Sequence, residues 1–200
     1  MGRDRKSKHK LSRREGKDLF GTGGESLQRR LHQPPGMHGR RPTRKTSVYA
    51  EQLREKQKVK RMYGLREEQF RRYLEMALRS REPTGIALLK LLERRLDNVV
   101  YRLDLARTRP QARQFVTHGH IRVNGQPVNI PSYIVNPGEE IHMDPSALQI
   151  PDVQELAQST PTVPGWLEKR DGGGVVVREP HREEIDPDIQ EQRIVEFYSR

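Results

Sequence analysis

The 200-residue chain predicts an α+β fold, in which a mainly helical first half leads into one further helix and an antiparallel hairpin. Two observations support this prediction. Apolar residues recur at the spacing of an amphipathic helix through most of residues 47–117. Short segments of alternating polarity then flank Asn124-Gly125, a dipeptide typical of tight β-hairpins.

The first half contains three predicted helices. The first runs from Ser47 to about residue 63 and ends at Gly64. The second covers residues 67–80, and the third begins at Thr84, after Glu82-Pro83 interrupts the pattern. The second helix should bury an inner face made of Phe70, Tyr73, Leu74, Ala77 and Leu78.

A helix over residues 96–103 should precede a second, well-capped helix. Thr108 and Gln111 have the spacing of a capping box, and Pro110 falls in the first turn, where a missing N–H does little harm. Gly119 supplies the left-handed residue that ends this helix. The alternation after it predicts a hairpin around residues 121–127 and a further strand near Ile141 and Met143.

The C-terminal part has a weaker pattern. A short helix is expected near residues 153–158, and the triple glycine at residues 172–174 suggests a flexible turn before a strand at residues 175–177. The last segment is too apolar for a free tail, and we expect it to pack around Phe70 and Leu74 through Ile194, Val195, Phe197 and Tyr198.

One stretch lacks acidic residues altogether. Residues 105–138 include no Asp or Glu, although the chain has 27. Arg109 and Arg113 lie one helical turn apart on the face away from the apolar residues. A face with planar guanidinium donors and no carboxylate to neutralise it suits a polyanion.

Charge is distributed unevenly along the chain. Residues 1–60 carry 18 basic and 6 acidic side chains, whereas residues 126–200 carry 6 and 14, within a total of +11. The basic part should meet nucleic acid, and the acidic part water or a basic protein. Residues 1–45 are expected to be a disordered basic tail in the isolated protein, an arm that becomes ordered against RNA phosphates, or both, because such arms commonly fold on binding.

Other functional classes find little support. No apolar run approaches the ~20 residues that span a bilayer, and the absence of cysteine excludes thiol chemistry and fits a cytoplasmic protein. The glycine-rich segments lack the Gly-Lys-Ser/Thr ending of a phosphate loop. His118 and His120 could suggest a metal pair, but the sequence offers no full ligand set, so we predict no structural metal and no cofactor.

The central motifs resemble a known family. RLDNVVYRLDLARTRPQARQFVTHGHIRVNGQPVNIPSYIVNPGEEI resembles the RNA-binding module of the ribosomal protein S-four (S4) family, and HGHI, VNG, VNIPSY and NPGE resemble its bacterial branch. Flanking segments agree, namely SVYAEQLREKQKVKRMYGLREEQF, PPGMHGRR and IVEFYSR. Many relatives hold a zinc ion with cysteines near the N-terminus. His9 and Ser12 stand in that region here, which resembles the zinc-free form.

The resemblance implies a small-subunit ribosomal protein rather than an enzyme. It implies direct binding to ribosomal RNA, nucleation of folding in the 5′ domain of that RNA, and a place near the path by which messenger RNA enters. It also implies contact with ribosomal protein S-five (S5) and influence on translational accuracy together with S-twelve (S12). The module would be inserted into the helical domain, onto which the C-terminal segment would return.

Two other classes share this module. It occurs appended to pseudouridine synthases and to a tRNA synthetase, which need a separate catalytic domain, yet only about 55 residues follow it here. A free-standing RNA chaperone or stalled-ribosome factor is the other alternative, and the long helical region ahead of the module argues against it.

The predicted domains and sites follow from these arguments. The domains are a basic arm (1–45), a helical domain (46–95), the S4-type module (96–158) and a C-terminal segment packing on the helical domain (159–200). Candidate partner-protein contacts are Glu183, Glu184, Glu196, Phe197 and Tyr198. Candidate RNA contacts are Arg3, Arg5, Lys10, Arg13, Arg14, His38, Arg40, Arg41, Arg44, Lys45, Lys56, Lys58, Arg61, Arg71, Arg72, Arg95, Arg107, Thr108, Arg109, Gln111, Arg113, Gln114, His118, His120, Arg122 and Asn124.

Overall fold

The computed structural model describes residues 6–21, 23–37, 47–158 and 163–199. These residues form two compact units: unit 1 combines the described residues up to 85 with 188–199, and unit 2 spans 86–187. In chain order the elements are α1 (Lys8–Glu15), α2 (Glu25–Gln28), α3 (Val48–Met62), α4 (Glu67–Leu78), α5 (Thr84–Glu93), α6 (Leu96–Arg102), α7 (Arg109–Thr117), β1 (Ile121–Val123), β2 (Gln126–Pro127), β3 (Glu140–Met143), α8 (Pro145–Leu148), α9 (Pro151–Gln158), β4 (Leu167–Arg170), β5 (Gly173–Val176), a 3₁₀ turn (Arg182–Glu184) and α10 (Glu191–Tyr198).

Unit 1 is helical: α3 begins and ends where the sequence predicts, whereas α1 and α2 were not predicted. The Ser47 hydroxyl accepts a hydrogen bond from the Ala50 N–H at 3.3 Å, and Gly64 adopts a left-handed conformation just after α3. Helix α4 buries Phe70, Tyr73, Leu74 and Ala77. Leu78 was expected on the same inner face, but it is 61% exposed because α4 ends at that residue.

The described part of the N-terminal arm packs on its own chain. Leu11, Leu19 and Leu27 are buried. The Glu15 carboxylate is almost fully enclosed and pairs with Arg54 at 3.3 Å and with Arg61. Burial raises the pKa of Glu15, an effect that the two arginines oppose. Within the described residues, this arm therefore differs from the disordered tail that composition alone allows.

The C-terminal helix docks on unit 1, as the sequence predicts. Helix α10 packs on α3 with Ile194 fully buried. The Tyr198 ring lies 6.3 Å from the Phe70 ring, and the Phe197 ring lies 5.6 Å from that of Tyr49. At the start of α10, a Cβ on Gly85 would come within 2.7 Å of the Glu191 side chain, so this close approach requires glycine.

Unit 2 joins α6 and α7 to a five-stranded antiparallel sheet in the order β2-β1-β3-β5-β4, which confirms the α+β class. Val123 pairs with Gln126 across a two-residue turn, in which Asn124 and Gly125 both have positive φ, as a type I′ hairpin requires. The core of this unit combines residues of α6, α7 and the strands, together with the fully buried Trp166.

Gly172 lies in the turn before β5, but Gly173 and Gly174 are part of the sheet, so the prediction of a flexible turn was wrong for these two residues. Gly173 and Gly174 lie in β5 between β3 and β4. A Cβ on Gly173 would lie 2.1 Å from the Ile141 carbonyl oxygen, and one on Gly174 would lie 2.4 Å from a Leu103 methyl group. Only glycine lets the strand approach this closely.

The compact units also differ from the predicted domain boundaries. The predicted C-terminal segment, 159–200, divides between them: β4, β5 and the 3₁₀ turn belong to unit 2, and residues from 188 onward belong to unit 1. The predicted boundary at 95/96 falls ten residues after the break at 85/86. The strands of this segment complete the sheet by hydrogen bonding, a pairing that no local sequence pattern encodes.

Candidate nucleic-acid interface

Helix α7 is held in place by the predicted cap, with one difference. The Thr108 hydroxyl accepts from the Gln111 N–H at 3.4 Å. The Gln111 side chain reaches back to the Arg107 N–H at 2.9 Å, rather than to that of Thr108. Gly119 ends the helix in the left-handed conformation. Thr108 and Gln111 thus have defined structural roles, and their predicted RNA contacts remain a prediction.

A buried ion cluster joins α6 to α7. Arg95 donates to both Asp97 carboxylate oxygens, at 3.0 and 2.7 Å, and Arg113 donates to the same carboxylate at 3.0 Å. Arg95 is 0% exposed, so the prediction that it contacts RNA is corrected: it neutralises a buried acid. Arg113 also has a carboxylate partner, although its own sequence neighbourhood has none.

Arg109 contacts two side chains of α6. Its Nε donates to the Asn98 side-chain oxygen at 2.8 Å, and its guanidinium lies 4.5 Å from the centre of the Tyr101 ring. The expected unpartnered Arg109–Arg113 face is therefore largely committed to α6. An RNA contact by either residue remains a prediction.

Two more exposed arginines of unit 2 also pair with acids. Arg107 contacts Glu155 of α9, and Arg122 contacts one oxygen of Asp144 at 2.9 and 3.1 Å. The hydrogen bond from Arg122 lowers the pKa of Asp144 below its ordinary value. Both acids lie outside residues 105–138, so the acid-free stretch in the sequence is not acid-free in the fold.

The pattern extends through all of unit 2. It contains 12 Lys and Arg against 14 Asp and Glu. Ten of these twelve cations lie within 3.9 Å of a carboxylate oxygen. Among the remaining cations, Arg109 donates to the Asn98 side-chain oxygen and Arg182 donates to the Asp186 carbonyl. This unit is electrostatically self-neutralised.

Polar groups without charge line the end of α7 and the hairpin. Gln114 and His118 are exposed, and the His118 and His120 rings lie 6.1 Å apart. The Asn124 side-chain oxygen accepts from the Glu140 N–H at 2.9 Å and so stabilises the turn. These groups offer hydrogen bonds and stacking surfaces rather than strong charge, and their RNA contacts remain predictions.

Unit 1 has the opposite balance. It contains 26 Lys and Arg against 13 Asp and Glu. Eight of its cations are exposed and have no carboxylate partner among the residues that the structure describes, namely Lys8, Lys10, Arg30, Arg66, Arg71, Arg72, Arg79 and Arg81. Five of the eight lie on or beside α4. This is the strongest cationic surface that the structure describes.

The α4 surface is an arginine-rich helix face. Arg72 and Arg79 lie two turns apart on a side that also holds the exposed Glu68 and Glu75, and the exposed Arg66, Arg71 and Arg81 add cations on or beside the helix. Sequence reasoning selected Arg71 and Arg72 but missed Arg66, Arg79 and Arg81. The signal was present, because the outer face of α4 follows directly from its buried inner face.

The α3 cations are mostly committed within unit 1. Lys56 is 5% exposed, donates to Glu67 at 2.7 Å and lies 4.5 Å from the Phe197 ring centre, so its predicted RNA contact is corrected. Lys58 pairs with Glu55 at 2.8 Å. Arg61 pairs with the buried Glu15. RNA contacts by Lys58 and Arg61 remain predictions.

Glu67 accepts hydrogen bonds from three side chains around it. Burial alone would raise its pKa, but hydrogen bonds from Lys56, Lys60 and Tyr198 lower the pKa to about 2. Burial and the bond to Glu67 raise the pKa of Tyr198.

The remaining predicted contacts fall into three groups. Arg13 donates to the Gln33 and Pro34 carbonyls, while Lys10 and Arg14 are exposed. Among the predicted protein-partner residues, Glu184 pairs with Arg178, Glu196 accepts from Gln52 at 2.8 Å, and Glu183 is exposed. Seven predicted RNA contacts lie outside the described residues: Arg3, Arg5, His38, Arg40, Arg41, Arg44 and Lys45.

The described ranges show neither a metal site nor a membrane-spanning helix. They contain no group of three His, Asp or Glu side chains placed to hold a metal ion. None of their helices has the length and apolar character needed to cross a membrane.

Comparisons with known proteins first define the class. Residues 94–141 match the family model described as the S4 domain, and residues 3–93 match the one described as the ribosomal protein S4/S9 N-terminal domain. The first match covers α6, α7 and the hairpin with the start of β3.

Full-length relatives then define the family. The chain is 49% identical to small ribosomal subunit protein uS4A of Symbiobacterium thermophilum, 51% to uS4 of Herpetosiphon aurantiacus and 52% to uS4 of Dictyoglomus turgidum. Each match covers 96% of this chain and 96% of the relative. The chain therefore belongs to the uS4 family of ribosomal proteins, which are structural components rather than enzymes.

Proposed function

We propose that this chain is a structural constituent of the small ribosomal subunit and binds its ribosomal RNA directly. The observation that supports this most is the set of exposed cations without a carboxylate partner in the described part of unit 1, in a member of the uS4 family. Phosphates dominate the affinity of proteins for RNA, and partner-free arginines are suited to contact them.

The mechanism follows from the contrast between the units. The arginines of α4 and of the N-terminal region contact phosphates of several RNA helices and offset their mutual repulsion. The end of α7 and the hairpin contribute shape and hydrogen bonds through groups such as Gln114, His118 and His120. Base-edge contacts are few.

A footprinting experiment tests this function. The purified protein should protect a defined set of nucleotides in the 5′ domain of small-subunit ribosomal RNA, and in cells it should co-sediment with small subunits through a high-salt wash. Protection no greater than that given by an unrelated basic protein would contradict the proposal.

The finer role rests on the family resemblance. The protein would act early in assembly of the subunit, reside on ribosomes in the cytoplasm and lie near the path by which messenger RNA enters. It would contact S5 and, with S5 and S12, influence translational accuracy. The half-buried Phe197 and Tyr198 and the exposed Glu196 of α10 support a protein contact at this helix.

A binding assay with purified S5 tests that contact. Glu196→Gln should weaken S5 binding, because it removes a charge from α10 while keeping an acceptor for the Gln52 side chain, and should leave affinity for isolated RNA within about twofold. Arg193→Glu, on the same helix, reports whether the effect is specific to position 196. If neither variant alters S5 binding, α10 is not the contact.

A further inference from the structure

The exposed ion pairs of unit 2 have a feature that folding does not explain. The Arg107 and Glu155 side chains are 46% and 71% exposed, and those of Arg122 and Asp144 are 44% and 24% exposed. Exposed pairs contribute little to stability, because water already solvates both charges. Each arginine nevertheless sits against a carboxylate that comes from outside the acid-free stretch.

A carboxylate and a phosphate present similar pairs of oxygen atoms to a guanidinium group. Arg122 donates through both Nε and Nη2 to Asp144 Oδ2, at 3.1 and 2.9 Å. An RNA phosphate that takes the Nε and Nη2 donors of Arg122, or the Nη2 donor of Arg107, must therefore displace the acid that already occupies them.

We propose that Asp144 and Glu155 are intramolecular phosphate mimics that weaken the binding of unit 2 to RNA, so that charge alone does not secure binding there. This inference rests on the proposed RNA-binding function. A generic RNA binds only through the charge of its phosphates, and the two acids cancel the attraction of Arg107 and Arg122 for that charge. An RNA of matching shape adds contacts to the hairpin and α7 and can displace both acids at once.

The two oxygens of Asp144 have separate tasks, which makes a clean variant possible. Oδ1 accepts from the Ser146 N–H at 3.2 Å and its hydroxyl at 2.9 Å, capping α8, whereas Oδ2 accepts from Arg122. Asp144→Asn keeps an oxygen for the cap, because asparagine is an equally good N-cap residue, and replaces the ion pair with an amide. Glu155→Gln does the same at Arg107, on the exposed side of α9.

Glu183→Gln provides a matched control. It removes one negative charge from the same unit, at an exposed glutamate that has no arginine partner among the described residues. Any effect of net charge alone appears equally in this variant. Thermal melting of all variants verifies that each is folded.

The test measures affinity of the full chain for polyuridylate and for 5′-domain ribosomal RNA across a salt series. Asp144→Asn and Glu155→Gln should each raise polyuridylate affinity by about threefold to fivefold, the scale of one exposed ion pair. The slope of log affinity against log salt concentration should become steeper by about 0.7 for each arginine that is released from its acid. Affinity for the 5′-domain RNA should rise by a similar factor, because that RNA must displace the same acids.

The possible failures are distinguishable. Unchanged polyuridylate affinity in both variants, or an equal rise in Glu183→Gln, would overturn this inference while leaving the proposed function intact. If the unaltered protein does not prefer 5′-domain RNA to polyuridylate, the proposed function itself fails, and with it the basis of the inference.

Discussion

The two units of this protein use their cations in opposite ways. Unit 2, which contains the match to the S4 domain, has 12 Lys and Arg, each with a hydrogen-bonding or ionic partner, and 14 acids. Unit 1 has 26 and 13, and eight of its cations are exposed without a carboxylate partner in the described part of the chain. A match to a nucleic-acid-binding module therefore does not by itself locate the phosphate contacts. In this chain the electrostatic part of binding should come mainly from unit 1.

The largest effect should come from the buried cation of unit 2. Arg95→Ala leaves Asp97 enclosed with only Arg113 beside it, and breaking a buried pair in this way costs about 3–5 kcal/mol of unfolding free energy. Urea denaturation measures this loss. Arg72→Ala is the control, because an exposed arginine should alter stability by no more than about 0.5 kcal/mol. Equal stability of the two variants would show that Arg95 is not structural.

Docking of α10 gives the next effect. Ile194→Ala should lower the unfolding free energy by about 2–4 kcal/mol, because it leaves a cavity at a fully buried position in unit 1. The slope of log RNA affinity against log salt concentration should equal that of the unaltered protein, since no exposed cation changes. A lost RNA affinity with unchanged thermal stability would instead make the C-terminal helix an RNA contact.

A smaller effect depends on pH. The pKa of Glu67 is about 2 in the folded protein against an ordinary 4.5, so the folded state favours the ionised form. Its stabilisation is complete above about pH 4.5 and is lost as the pH falls towards 2. Glu67→Gln should therefore reduce stability at pH 7, and the difference from the unaltered protein should vanish near pH 2. A constant difference across that range, measured by denaturation, would exclude the ionised cluster as its cause.

Local signals predicted the elements of the fold well. The caps at Ser47 and Thr108, the left-handed Gly64 and Gly119 and the Asn124-Gly125 turn all act where the sequence places them. They succeed because each depends on a few adjacent residues. The role of Gly173 and Gly174 was missed, because it depends on Leu103 and Ile141, which are distant in sequence.

The site was less predictable for the same reason. A stretch without acids suggested unpaired arginines, yet Asp97, Asp144 and Glu155 approach them from elements on either side. Charge balance along a sequence does not determine charge balance in space. Burial of Lys56 by α10 likewise depends on a contact between distant parts of the chain.

The central claim is that unit 1 makes most of the phosphate contacts. It is tested most directly by the salt dependence of binding to 5′-domain ribosomal RNA, compared between two matched double variants. Arg72→Ala with Arg79→Ala removes two exposed arginines of unit 1, and Arg109→Ala with Arg113→Ala removes two partnered arginines of unit 2. We expect the slope of log affinity against log salt to become shallower by about 1.4 in the first variant, at about 0.7 per lost phosphate contact. The second variant should keep its slope and lose thermal stability instead. A shallower slope only in the second variant would contradict the account and return the phosphate contacts to the S4-type module.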